Sequence, residues 1–232
     1  MSSIANNIHM VQQHLSETAK KYHRNSEEIT LLAVSKTRPV DDIKDAYLAG
    51  LRHFGENYLQ ESLEKIDTLK SLDICWHFIG PLQSNKTRAV AENFHWLHTV
   101  ARFKIGQRLS DQRPPEMPPL NICVQVNISE EESKSGCSVA ELPKLIEQLS
   151  QLPNIIVRGL MAIPTATDNT ELQRKTFAQM KQLLLELQQN HPHLDTLSMG
   201  MSGDMAAAVA EGSTMVRIGT AIFGPRAPKT AQ

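Results

Sequence analysis

Two hydrophobic periodicities alternate along this chain almost from end to end, and that alternation limits the fold more than any other feature. Short apolar runs fit for burial on both faces occupy residues 29–36, 52–57, 76–80, 96–100, 120–128, 155–163, 196–202 and 215–218. Between them lie segments such as 40–49, 58–69, 139–149 and 172–188, in which apolar residues recur every three or four positions. The first pattern predicts strands and the second crossover helices. Strands joined through helices pair in parallel. Eight such units in 232 residues therefore predict an α/β fold, a closed (β/α)8 TIM barrel. An open doubly wound sheet is the alternative. The count of eight, and the lack of a G-x-G-x-x-G after the first strand, favour the barrel. Ahead of the first strand, Ile4, Ile8, Val11 and Leu15 mark an amphipathic helix, read as an extra N-terminal helix within residues 1–24 that packs on the barrel. No composition break divides the chain, so residues 1–232 are read as one domain, with 114–119 a loop leading into the fifth strand.

Charge and cysteine usage exclude several classes of function. The 24 basic and 25 acidic side chains are interspersed, so no basic field exists to attract a nucleic-acid backbone. Cys75, Cys123 and Cys137 are odd in number and lack C-x-x-C spacing, which argues against a disulfide framework or a zinc site and for a reducing, cytoplasmic setting. His95 and His98, three residues apart near the fourth strand, have no cysteine or second histidine cluster at ligand spacing, and no metal is assigned. The N-terminal helix lacks the apolar centre of a signal peptide, and no run is long enough to span a bilayer.

A barrel of this kind works at the carboxyl ends of its strands. Read in order, those ends carry Lys36, Glu56 and Asn57, Gly80 with His77 just before it, Thr99, Asn127, Met161, the run from Ser198 to Ser202, and Arg217 to Thr220. The run LLAVSKTRP at residues 31–39 is apolar until it meets Lys36. Taken alone, a lysine there is a solvated strand end. The seventh and eighth strand ends change that reading. Ser202-Gly203-Asp204 precedes the helix-forming run Met205 to Ala210, so Ser202 is expected at the N-cap, where a hydroxyl and unpaired backbone N–H groups meet. Gly219 permits close backbone approach and Thr220 adds a second hydroxyl. Phosphate binds between these two loops in many barrels. Strand one closes the ring beside strand eight, which makes Lys36 the neighbour of such a phosphate. A primary amine there suits a phosphorylated ligand carrying a carbonyl, through a Schiff base. Lys134, in Ser133-Lys134-Ser135-Gly136 after strand five, could attract an anion but is better read as a solvated loop lysine. The neighbouring pair Glu131-Glu132 is merely acidic.

Six segments, AVSKT, FGENYLQE, WHFIGPLQSNK, SKSG, GLMAIP and LSMGMSGDMAAAVAEGSTMVRIGTAIFG, together give nearly the whole chain a resemblance to the pyridoxal 5′-phosphate homeostasis proteins, single-domain relatives of the barrel domain of alanine racemase. The resemblance implies pyridoxal 5′-phosphate (PLP) held as an internal aldimine on Lys36, with Ser202, Gly219 and Thr220 at its phosphate. Asn57 would line the ring and Arg217 would face the pyridine nitrogen. Met201 and His77 are weaker carry-overs, since a methionine or histidine among strand ends is more often core than ligand. The implied function is a PLP carrier or reservoir in the cytoplasm, a monomer that supplies PLP-dependent apo-enzymes without turnover of its own. A racemase of the alanine racemase type is the alternative, less expected because no segment resembles the large C-terminal β domain that supplies the second acid–base tyrosine there. A Schiff-base aldolase is a third reading, in which Arg217 at a ring nitrogen would have no purpose.

Overall fold

The computed structural model describes residues 3–129 and 135–225. Eight parallel strands, β1 Thr30–Val34, β2 His53–Glu56, β3 Cys75–Phe78, β4 Trp96–Val100, β5 Leu120–Gln125, β6 Ile155–Met161, β7 Thr196–Ser198 and β8 Met215–Ile218, close in sequence order into a barrel. β1 returns to β8 in register, with Thr30 opposite Met215 and Ala33 opposite Ile218. The expected barrel is the observed fold.

The helices are α1 Ile4–Lys21, α2 Val40–Leu48, α3 Leu59–Thr68, α4 Thr87–Asn93, α5 Phe103–Gln112, α6 Leu142–Ser150, α7 Thr170–Gln188, α8 Met205–Ala210 and α9 Thr220–Phe223. α1 is the extra N-terminal helix. Ser3 caps it by accepting from the Asn6 N–H, and Ile8, Val11, Leu15 and Ala19 form its buried stripe. It packs against α2, α8 and α9, and Asn7 Nδ2 donates to the Ile222 carbonyl at 2.8 Å. No helix among the described residues is long and apolar enough to cross a membrane.

Several apolar runs outlast the strands they predict. β7 stops at Ser198, four residues before the run ends, because Gly200 turns the chain with φ +97° and the strand meets β8 only at Ser198 opposite Met215. The hydrogen-bonded ladder ends there, and the remaining residues of the run form the rim.

The pleat sorts side chains between two environments. Trp76 and Phe78 of β3 join the main core between sheet and helices. Cys75, His77 and Ile79 alternate with them and face the other way, into the barrel. Its apolar content falls into two small clusters, Leu32 with Ile79 and Met215, and Trp96 with Cys123 and Met161. The rest of the interior is polar to an unusual degree for a barrel: His77, His98, Ser198 and Arg217 are all buried there.

Candidate functional site

A cleft of about 310 Å3 opens at the carboxyl ends of the strands, lined by Lys36, Asn57, Met201, Ser202, Arg217, Gly219 and Thr220 together with Val34, Arg38, Ile79, Ile163 and Gly203. All seven residues singled out from the sequence meet in this one space, brought there by β1, β2, β7 and β8. His77 does not line it. Lys134, Glu131 and Glu132 lie outside the described residues.

Lys36 stands next to strained backbone. Thr37, directly after it, has φ +62°, a left-handed conformation that a β-branched residue adopts only when its surroundings impose it. Those surroundings are explicit. The Thr37 N–H donates to Glu61 Oε1 at 2.6 Å, and its hydroxyl donates to the Lys36 carbonyl at 2.6 Å. Glu61 is paired in turn with Lys65, whose ammonium also donates to the Ser35 carbonyl and to Glu56 Oε1, each at 2.8 Å. The Ser35 hydroxyl donates to the same Glu56 oxygen at 2.6 Å. A buried cation, on the face of α3 that packs inward, thus grips both sides of the turn that presents Lys36. Burial pushes the Glu56 carboxyl above its ordinary range although Lys65 and Ser35 draw it down.

Asn57 follows β2. Its carbonyl lies where a Cβ on Gly80 would sit, only 2.1 Å from that position, so the loops after β2 and β3 touch through a glycine. Asn57 Oδ1 is buried with no hydrogen-bond partner among the described residues. An orphaned acceptor at a cleft wall awaits a donor from a ligand or water.

Ser202 is not the helix cap expected for it. α8 begins at Met205 with Asp204 at the N-cap, and Asp204 turns its carboxylate back to accept from the Met201 N–H at 2.6 Å. This side-chain-to-backbone bond closes the loop on itself, leaving Ser202 two residues upstream of the cap and in the lining of the cleft. Opposite it, Gly219 packs so closely on strand one that an added Cβ would lie 3.3 Å from the Val34 carbonyl. Arg38 is a lining residue that sequence reading missed; its guanidinium donates to the Gly224 carbonyl.

Arg217 is buried, and its fork is held from below: Nη1 donates to the Ser198 carbonyl at 2.6 Å and to Ser198 Oγ at 2.9 Å, while Nη2 donates to the Ala162 carbonyl at 3.0 Å. Burial lowers its pKa to about 10, so it remains a cation at neutral pH. Beneath it a chain of side chains crosses the barrel interior. Ser198 Oγ lies 2.8 Å from His98 Nδ1, His98 Nε2 lies 2.9 Å from His77 Nδ1, and His77 Nε2 lies 3.0 Å from His53 Nδ1. Burial, with Arg217 nearby, pushes His98 down to about 3, and burial pushes His77 well below the ordinary imidazole range. Both are neutral, so each ring holds one proton and bridges a donor to an acceptor. His95 is not a member: three residues from His98, it falls on the opposite face of β4, and its Nδ1 accepts from the Trp76 N–H at 3.0 Å.

A parallel barrel with a lysine just past strand one, hydroxyls after strands seven and eight, and a buried arginine on strand eight has the features expected of the barrel domain of alanine racemase. Residues 1–227 match the family described as alanine racemase, N-terminal domain. The chain is 55% identical over 226 residues to the pyridoxal phosphate homeostasis protein of Pseudomonas aeruginosa, covering 97% of each, and 53% identical over 229 residues to that of Escherichia coli K12, covering 97% and 98%. The solved structure of PipY from Synechococcus elongatus PCC7942 with PLP bound superposes with a TM-score of 0.79 at 39% identity, covering 90% of this chain and 100% of that one. The chain belongs to the pyridoxal phosphate homeostasis protein family.

Proposed function

We propose that this chain, as a single cytoplasmic domain and a monomer, binds PLP covalently through Lys36 and serves as a carrier and reservoir that passes the cofactor to PLP-dependent apo-enzymes. One observation carries the reading: seven residues chosen from the sequence, drawn from four strand ends, line one cleft in a member of a family whose relative PipY has been solved with PLP bound. The cleft fits the cofactor. It offers a lysine for the aldehyde, Ser202 and Thr220 hydroxyls with the Gly219 backbone for the phosphate, and an orphaned Asn57 oxygen at its wall. When bound, PLP supplies an electrophilic carbon and an electron-withdrawing ring. The chain's own residues hold and orient it. Racemisation would need a second acid–base group across from Lys36. Among the described residues that line the cleft there is no Asp, Glu, His, Cys or Tyr, which supports a carrier over a racemase.

The test is the visible spectrum of the purified chain before and after borohydride reduction, followed by peptide mass mapping. A phosphopyridoxyl mass on the Lys36 peptide, and loss of the visible band in Lys36→Ala, are expected. A label on a different lysine in the unmodified protein would refute the assignment.

A further inference from the structure

The amino-terminal mouth of the barrel, opposite the cleft, gathers a second set of chemistry-bearing side chains that PLP binding does not use. His53 opens β2, Cys75 opens β3, and His77 sits two residues further along β3 on the same face. β2 and β3 pair with His53 opposite Cys75 and Gly55 opposite His77. Gly55 places no side chain between His53 and His77, so the two rings meet across the barrel wall. Their donor atoms, His53 Nδ1, Cys75 Sγ and His77 Nε2, all lie within 4.8 Å of one another.

The geometry points to a zinc site made by His53, Cys75 and His77, with water in the fourth position. Two imidazole nitrogens about 2.0–2.1 Å from a tetrahedral zinc lie about 3.3 Å apart, and a nitrogen and a thiolate sulfur at about 2.3 Å lie about 3.5 Å apart. The corresponding separations here are 3.0 Å for His53 Nδ1 to His77 Nε2 and 3.4 Å for Cys75 Sγ to His77 Nε2. On these two edges shifts of a few tenths of an ångström suffice, and the third, His53 Nδ1 to Cys75 Sγ, lies within 4.8 Å. The ligand set of two imidazoles and one thiolate suits a borderline cation and disfavours calcium or magnesium, which require oxygen. On binding, the Cys75 thiol gives its proton to solvent, and the ion takes His77 through Nε2, which leaves the His77 proton on Nδ1. There the ring faces His98 Nε2 at 2.9 Å, the kind of acceptor that fixes the orientation and tautomer of a ligating histidine. Access exists from outside: His53 lines a surface depression of about 560 Å3 with Thr30, Leu31 and Arg52. The spacing gave no warning, because one ligand stands 22 residues before the next and only strand pairing unites them.

The full-length chain, free of affinity tags and stripped with a chelator, is titrated with Zn2+ against a chromophoric competitor and, separately, with Co2+. One Zn2+ per chain is expected, weakened at least about tenfold by Cys75→Ser and by His53→Ala. The cobalt form of the unmodified chain should show a near-ultraviolet thiolate-to-metal charge-transfer band with the intense visible bands of tetrahedral coordination, a readout that needs no variant. Absence of saturable zinc uptake, zinc affinity in either variant equal to that of the unmodified chain, or a cobalt spectrum without the thiolate band would overturn the site.

Discussion

Replacing Lys65 with methionine isolates what holds the Lys36 turn. The Lys65 side chain is 5% exposed and the Glu56 side chain 0%, so the variant leaves a carboxylate in the interior without its cation. It also removes donors from the Ser35 carbonyl and from Glu61. Removing one partner of a buried ion pair costs about 3–5 kcal/mol, most of it the penalty of the stranded charge. A cavity or a packing error could produce the same loss, but not the same pH dependence. Glu56 already has a raised pKa in the folded state, because burial outweighs Lys65; without Lys65 it rises further. A glutamate of this kind contributes stability that is fully present below its unfolded pKa of about 4.3 and is lost as pH rises through the folded value. The deficit of Lys65→Met relative to the unmodified protein should therefore be small near pH 4 and reach its full size at neutral pH. Urea unfolding of both proteins across that range, with equal m-values, measures it. Adding Glu56→Gln to Lys65→Met should recover most of the neutral-pH loss. A deficit that does not change with pH, or a double variant no better than the single, would refute the stranded-charge account. The same variant frees Glu61 from its anchor, so PLP affinity should fall with stability.

Two further perturbations probe the cleft and the barrel interior. Ser202→Ala should weaken PLP binding by about one to two powers of ten, the worth of roughly 1.5–3 kcal/mol for a hydroxyl bond to a charged oxygen, and should affect pyridoxal without its phosphate much less; equal losses in spectroscopic titrations would count against a phosphate contact. His98, with a folded pKa of about 3, contributes stability that is complete above about pH 6.5 and falls by up to about 1.4 kcal/mol per unit as pH drops from there toward 3, so His98→Gln should flatten the acid limb of the urea midpoint against pH, leaving the dependence due to His77, which is lowered in the same direction.

Legibility of this chain from its sequence follows the range of the interactions involved. The eight strands were readable because burial on both faces writes a local apolar run for each, and the α1 stripe was readable for the same reason. Ends were less so: nothing in the apolar run 196–202 shows that its pairing stops at Ser198. The Ser202 cap failed because Ser, Gly and Asp in succession offer two competing side chains, and Asp204 took the turn instead. Strand-end logic located the cleft residues, but the framework beneath them was not visible. Lys65 reads as an ordinary helical lysine until α3 turns it toward Glu56. The chain from Arg217 to His53 joins five strands, with the link from His98 to Ser198 spanning 100 residues. Its trace in the sequence is one polar side chain at an inward position of each of these strands, which in a barrel core calls for an explanation.

The arginine at the head of that chain bears on why the cofactor would be kept and not used. Arg217 is a donor only, is protonated with a pKa of about 10, and has three hydrogen bonds locking its fork to Ser198 and Ala162. A pyridine nitrogen set against it can only accept, so Arg217 would hold that nitrogen unprotonated and leave the ring a poor sink for electrons. The neutral rings below cannot relieve this, since burial keeps His98 and His77 from taking a proton near neutral pH. Among the described residues, the cleft also lacks a carboxylate, phenol or imidazole to work opposite Lys36. Both deficits act on the same step, removal of the Cα proton. The loaded protein incubated with L-alanine in deuterated water should therefore exchange that proton slowly, while still delivering PLP to an apo-enzyme in a parallel assay. Exchange or racemisation at an ordinary enzymatic rate, on the order of 1 s−1 or faster, would overturn the carrier reading and make Arg217 part of an active catalyst.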